Sequence, residues 1–140
     1  MECNIVGGGP SKSLVKPDRF TISTNFHCSW ANIIFAVDEP VVESLLRKNV
    51  DGFTHQLVFT NPKVYPRYKD YPRCYEFDYK NWVKSHSLSS GMNAIVLAHA
   101  LGFTKIHIYG FEKVLEDHRE NKLKFDMIKD NNREYIFYEH

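Results

Sequence analysis

No apolar run in this 140-residue chain approaches the roughly 20 residues that a membrane-spanning helix needs. Bulk charge is missing too. Eighteen basic against 17 acidic side chains leave +1, which gives no general hold on nucleic acid or an anionic membrane surface. Cysteine is sparse: Cys3, Cys28 and Cys74 are odd in number and far apart, with no CxxC spacing. Reduced thiols in a cytoplasmic protein are therefore expected, rather than a disulfide framework or a zinc site. The segment Met1 to Val6 reaches glycine too soon to hold the apolar core of a secretory signal. HExxH is absent, and the seven histidines form no metal-ligand pattern, so no metal site is expected. There is no internal repeat, low-complexity segment or linker.

What is present suits one ordinary globular domain over residues 1–140. Hydrophobic residues make up 43% and charged residues 25%, which excludes a disordered or collagen-like chain. Glu2 to Val6 reads as a short strand breaking into Gly7-Gly8-Gly9-Pro10-Ser11, where Pro10 and Ser11 suit a helix start. Arg19 to Thr24 alternates polar and apolar as a second strand. Asn32 to Val37 is nearly continuous and apolar, the mark of a strand buried on both faces. Asp38-Glu39-Pro40 opens a helix with Val41, Val42, Leu45 and Leu46 on one face. Gln56 to Thr60 is another strand, ended by Asn61-Pro62.

From Lys63 to Lys84 the pattern is lost among prolines and tyrosines, and an irregular excursion or lid is predicted. Its tyrosines, Tyr65 to Tyr79, either close over a ligand or pack against another copy of the chain. The clearest stretch follows. An Ala- and Leu-rich helix starts near Ser90 and ends at Gly102, and Lys105 to Tyr109 forms a strand stopping at Gly110. Glu134 to Tyr138 is a final strand or ordered loop. Strands alternating with helices predict a single Rossmann-like α/β domain, with a mainly parallel sheet flanked by helices.

In such a sheet, ligands bind beyond the C-terminal ends of the strands. Five segments converge there: Gly7 to Ser11, Asn25 to Cys28, Asn61-Pro62, Ser89 to Gly91, and Gly110 to Glu112. A glycine turn ahead of a helix can present amides to a phosphate or carboxylate, or can be only a tight connection. Neither GxxxxGK[ST] nor GxGxxG is present. Ser89 and Ser90 either offer hydroxyls and amides to an anion or simply cap the helix. Asn25 and Asn61 either hydrogen-bond a sugar or base or shape their turns. His99 and His107 fall within the predicted helix and strand, where core or surface roles are expected. His27 and His86 flank candidate loops, and His118 lies in the run Glu116 to Glu120, a solvated helix face.

Taken in order, these segments resemble one family. The strand into Gly7-Gly8-Gly9-Pro10-Ser11, Asn25, Phe59-Thr60-Asn61-Pro62, the Ser89-Ser90-Gly91 helix and Leu101-Gly102-Phe103-Thr104-Lys105-Ile106-His107-Ile108-Tyr109-Gly110-Phe111-Glu112 are similar to the bacterial sialyltransferases. Those enzymes use CMP-sialic acid on a Rossmann-like fold, with a G-N-G-P-S turn, a T-S-G helix start and a G-I-D ending. The turn and helix also resemble the 6-hydroxymethylpterin pyrophosphokinases. The resemblance implies a donor site of Gly7, Gly8, Gly9, Ser11, Asn25, Asn61, Ser89, Ser90, Gly91, Gly110 and Glu112. It also implies a general base at His140, with Tyr135 or Tyr138 donating to the departing phosphate. Imidazole titrates near neutral pH, and this chemistry needs neither metal nor cofactor.

This sequence departs from that pattern at Gly8, which replaces the turn's asparagine, and at Ser87, which stands where an arginine is expected. Arg67, Arg73 or Lys84 would then supply the phosphate-binding charge. The expectation is a small glycosyltransferase moving a sugar from a CMP-activated donor to a glycan or other hydroxyl acceptor. Two alternatives stay open. One is a magnesium-dependent pyrophosphokinase acting on a pterin, with Asp38, Glu39 and Glu112 as the carboxylates. The other is a nucleotide-binding module without catalysis.

Overall fold

The computed structural model describes residues 1–85, 87–116 and 119–140. His86 and His118, two of the histidines weighed above, lie outside the described residues, as does Asp117. Strands alternate with helices along the chain: β1 (Glu2–Val6), β2 (Phe20–Thr24), β3 (Ile33–Phe35), α1 (Glu39–Arg47), β4 (Leu57–Thr60), β5 (Cys74–Glu76), α2 (Ser90–Ala100), β6 (Lys105–Tyr109), α3 (Glu112–Glu116), α4 (Arg119–Ile128) and β7 (Glu134–Phe137). Short 3-10 turns at Pro10–Leu14, Tyr65–Arg67 and Tyr79–Asn81 complete it. All seven strands pair in parallel, in the order β5-β4-β3-β2-β1-β6-β7. The predicted parallel α/β architecture is the observed one.

Alternation along the strands sorts the core into two faces. Cys3 and Ile5 of β1, Ile22 of β2, Ile33 and Phe35 of β3, and Ile106 and Ile108 of β6 pack against α2. Ile34 and Val58 turn the other way, onto Val42 and Leu45 of α1. The central helix α2 is apolar all round because it crosses back over β3, β2 and β1 and carries α4 on its outer side. Ser89 caps it, its hydroxyl accepting from the Met92 amide at 3.3 Å. Gly102 follows its C-terminus at φ +89°, as the sequence predicts. Among the described residues, no helix is long and apolar enough to cross a membrane. The three cysteines are free and buried.

The structure corrects the reading of Lys63 to Lys84 as an irregular lid. Tyr68 and Tyr79 are buried, one in the cluster around α1 and the other in the cluster around α2, and Cys74–Glu76 adds the edge strand β5. Three residues are too few to show a period, and Tyr75 and Glu76 are exposed, so the strand carries no hydrophobic signature. The third strand is shorter than Asn32 to Val37. The Ala36 amide still reaches Phe59 O at 3.1 Å, while the Val37 amide turns to the Ser90 hydroxyl.

Candidate functional site

Strand order reverses at β1, whose neighbours are β2 on one side and β6 on the other. The crevice of an open parallel sheet lies at such a switch point. Here the glycine turn after β1 meets the glycine after β6. The Gly7 amide donates to Tyr109 O at 2.8 Å, and the Gly9 amide to Gly110 O at 2.7 Å. Gly110 sits at φ +77°, and a Cβ there would lie 2.3 Å from Gly7 O. Phe111, almost wholly buried, packs so closely that a Cβ on Gly7 or Gly91 would stand 2.9 Å from its ring. These glycines are thus explained by the approach of two loops and one aromatic ring. Gly8 faces the His27 imidazole.

Ser11 locks the crevice. Its hydroxyl donates to Glu112 Oε1 at 2.5 Å and accepts from the Gly110 amide at 2.6 Å, while its own amide donates to Glu112 Oε2 at 2.9 Å. Partial burial would raise the Glu112 carboxyl's pKa. Hydrogen bonds from the Ser11 hydroxyl and from the Glu112, Ser11 and His140 amides outweigh it and hold the carboxyl below its usual range. The His140 backbone is thereby brought to the same edge.

The start of α2 forms the second wall. Ser90 Oγ accepts from the Val37 amide at 3.1 Å, tying the end of β3 to the helix. Both serine hydroxyls accept, so each keeps its proton to donate. Among the described residues, the Ser90 and Gly91 amides have no partner, the ordinary state of a helix N-terminus. Asn93, one turn in, donates to Leu88 O at 3.0 Å and Ser89 O at 3.1 Å, but its buried Oδ1 has no partner.

Two more buried oxygens on this edge have no partner among the described residues: Asn25 Oδ1 after β2, where φ is +53°, and Thr60 Oγ1 at the end of β4. Buried acceptors without donors are rare and costly. Asn61 instead shapes its turn, its Oδ1 accepting from the Val64 amide at 2.9 Å. A cleft of about 610 Å³ opens here, bounded by Asn61, Lys63, Lys80, Ser87 and Asn93 among others. Asn93 and Thr60 were not singled out as site residues from sequence. The signal available for Asn93 was a polar, helix-weakening residue inside an otherwise apolar helix.

Of the two tyrosines, Tyr138 lines a small depression with Phe111 and Glu112, and Tyr135 lies elsewhere. Tyr135 OH accepts from the Asp130 amide at 2.8 Å and donates to His99 Nε2 at 2.6 Å. His99 is nine residues beyond Ser90 on α2, roughly 14 Å along the axis. Burial, assisted by Arg133, holds His99 at a pKa of about 4, so it is neutral and able to accept. Tyr138 stacks on Tyr109 at 4.1 Å, and its hydroxyl lies 2.9 Å from His107 Nδ1.

Of the three cations expected to supply the charge absent at Ser87, Lys84 lines the depression that Ser87 also lines, and the two arginines are engaged elsewhere. Arg67 is paired with Glu39 at 2.8 Å, and Arg73 donates to the Leu45 and Gln56 carbonyls. Lys124 of α4 reaches the Ser87 hydroxyl at 3.2 Å. Among the described residues, no group of three or more His, Cys, Asp or Glu side chains is placed to share a metal ion.

The chain thus has a parallel α/β fold with a switch-point crevice between the turns after β1 and β6 and a separate cleft beside Asn61 and Asn93. Solved structures of the sialyltransferase CstII share that fold. A point mutant of the alpha-2,3/8-sialyltransferase CstII is 14% identical, with 98% of this chain and 81% of that chain covered at a TM-score of 0.66. CstII from Campylobacter jejuni in complex with cytidine-5'-monophosphate is 17% identical, covering 96% of this chain and 88% of that one at 0.57. The complex of CstII with a trisaccharide acceptor and CMP is 16% identical, covering 79% and 62% at 0.57. At these identities the likeness is one of fold. No protein-family model and no curated protein sequence matches the chain.

Proposed function

We propose that residues 1–140 form one nucleotide-sugar-binding domain that transfers a sugar from a CMP-activated donor to an acceptor hydroxyl. One observation carries the reading: Asn25 Oδ1, Thr60 Oγ1 and Asn93 Oδ1 are buried, without a partner among the described residues, and set toward the strand-end edge. Cytosine and ribose bring an amine and hydroxyls that would satisfy such oxygens. The phosphate would take the Ser90 and Gly91 amides and the Ser89 and Ser90 hydroxyls. The fold shared with CMP-bound CstII supports the same ligand class.

In the proposed reaction, the acceptor oxygen attacks the anomeric carbon as the bond to the phosphate oxygen breaks. CMP departs with the bonding pair, and the acceptor's proton passes to the His140 imidazole. Hydroxyls and amides at the start of α2 then face the charge developing on the phosphate. Tyr135 has no part in this scheme, since its hydroxyl bonds His99 far along the helix. Ser11 acts by holding the crevice closed, because its amide and hydroxyl protons both go to Glu112.

Engagement of both tyrosine hydroxyls with histidines favours a second reading, a module that binds the nucleotide without turnover. The magnesium-dependent reading is weaker, because Glu39 and Glu112 are engaged with Arg67 and Ser11. Calorimetric titration with CMP, CMP-sialic acid, UMP and magnesium-ATP separates the three. Selective binding of the cytidine ligands, abolished by Ser90→Trp, is expected. Donor hydrolysis without metal, lost in His140→Ala, identifies the transferase, and binding without hydrolysis identifies the module. Silence toward both cytidine ligands overturns the donor assignment.

A further inference from the structure

The two edges of the sheet differ in how they are guarded. β5 closes one edge with a three-residue strand that directly follows Pro72-Arg73. Short length and a nearby proline keep such an edge from pairing further. β7 closes the other with Glu134-Tyr135-Ile136-Phe137 and runs straight into Tyr138. That stretch holds no lysine, proline or glycine, and Tyr135 to Tyr138 are all strong strand formers. Their side chains are only half-buried, whereas Ile106 and Ile108 of the neighbouring β6 are wholly buried.

Among the described residues, β7 pairs with β6 alone. The Glu134 amide donates to Thr104 O at 2.8 Å and the Tyr138 amide to Ile108 O at 2.9 Å. Bonding residues alternate along a strand, so the even-numbered positions face β6. The amides and carbonyls of Tyr135 and Phe137 therefore face outward, where no described strand meets them. Two outward residues around one inward residue make a pattern that an antiparallel copy of itself completes. With a twofold axis at Ile136, Tyr135 of one copy stands opposite Phe137 of the other, and each such pair exchanges both its backbone bonds. Ile136 then faces its own copy in a non-hydrogen-bonded pair, with Cα atoms about 4.5 Å apart. The same register sets the exposed Glu139 opposite Arg133, whose guanidinium is fixed by Asp130 and Phe103 O. Glu134 falls opposite Tyr138, so no like charges meet.

We infer that the β7 edge is an interaction surface whose partner is a second copy of this chain, joined edge to edge about a twofold axis at Ile136 into one continuous sheet. The inference stands apart from the donor reading, since none of the residues it uses lines the cleft beside Asn61 and Asn93. Self-pairing explains why a strand rich in aromatic and branched residues ends the sheet without the guards that β5 carries.

Sedimentation equilibrium of the full chain is expected to show a species of twice 16.4 kDa that dissociates on dilution. Ile136→Lys sets two ammonium groups against each other at the axis and should weaken that dimer at least tenfold. Met127→Asp, on the exposed face of α4, should leave it unchanged. A cysteine crosslink reads the register. The Ile136→Cys pair lies within disulfide reach, while the two copies of Glu134→Cys are about 13 Å apart along the strands. Under oxidised glutathione Ile136→Cys should therefore crosslink at least tenfold faster, and the three native cysteines are buried and do not compete. That preference supports the pairing even where Ile136→Lys fails to fold. A monomer at every concentration, with the two cysteine variants crosslinking equally slowly, overturns the inference and leaves the edge to a strand of another protein. A dimer dissociated by Met127→Asp and not by Ile136→Lys moves the interface to α4 and overturns it as well.

Discussion

The Ser11 hydroxyl donates to the Glu112 carboxylate at 2.5 Å although the two residues are 101 positions apart. With the Ser11 amide bonding the other oxygen, the pair clamps the turn after β1 onto the start of α3. Charge-assisted hydrogen bonds of this kind contribute about 1.5–3 kcal/mol each, so Glu112→Ala should cost at least about 2 kcal/mol in urea unfolding. Glu112→Gln should cost less, because it keeps an acceptor for one donor. The folded carboxyl is held below its ordinary range, so its contribution is complete at neutral pH. It fades as pH falls through that lowered value.

Gly110→Ala should be among the most damaging substitutions in the loops. The residue sits at φ +77°, and the added carbon would meet Gly7 O at 2.3 Å. Backbone on both sides leaves no flexible group to give way. Strain of this kind costs about 1–3 kcal/mol before the clash is counted. A lowered thermal midpoint checks it, and CMP affinity should fall with it because the crevice walls must separate.

Acid should weaken the protein well above the carboxylate range. His99 has a folded pKa of about 4 against an ordinary 6.5, so the unfolded chain binds the proton first. Stability is full above about 6.5 and is lost as pH falls from there to about 4, by about 3 kcal/mol at most. Urea midpoints measured from pH 7 to pH 4 should fall steeply in the wild type and flatten in His99→Gln.

Tyr135→Phe separates a structural tyrosine from a catalytic one. It removes the partner of both His99 Nε2 and the Asp130 amide, for a stability loss of about 1–3 kcal/mol. Donor turnover per folded molecule should be unchanged. A large fall in kcat with unchanged stability would return Tyr135 to the site.

Asn93→Ala should weaken CMP binding at least tenfold. Its unpaired Oδ1 needs a donor, and a nucleotide would supply one. Calorimetry on a variant of confirmed thermal midpoint reads the effect. Unchanged affinity would assign Asn93 to capping Leu88 and Ser89 alone.

Elements whose own residues carry the pattern were legible. The apolar runs at β1, β3 and β6, the Ala-rich α2 with Ser89 before it and Gly102 after it, and the glycine turn all follow from local propensity and period. The strand β5 was not, because a three-residue edge strand with two exposed side chains has no period to read. Arg67, Arg73 or Lys84 was expected to replace the charge absent at Ser87, yet Arg67 pairs with Glu39 and Arg73 bonds carbonyls in the last turn of α1 and just before β4.

The sequence by itself determined that the chain forms a parallel α/β sheet with glycine and serine turns at the strand ends, because glycines, caps and apolar runs act over a few residues. Only the tertiary structure decided which side chains meet. Ser11 found Glu112, Lys124 found Ser87, and Tyr135 went to His99 instead of the crevice. Such pairings join residues 36 to 101 positions apart. They depend on where the crossovers deliver each helix, which no local pattern encodes.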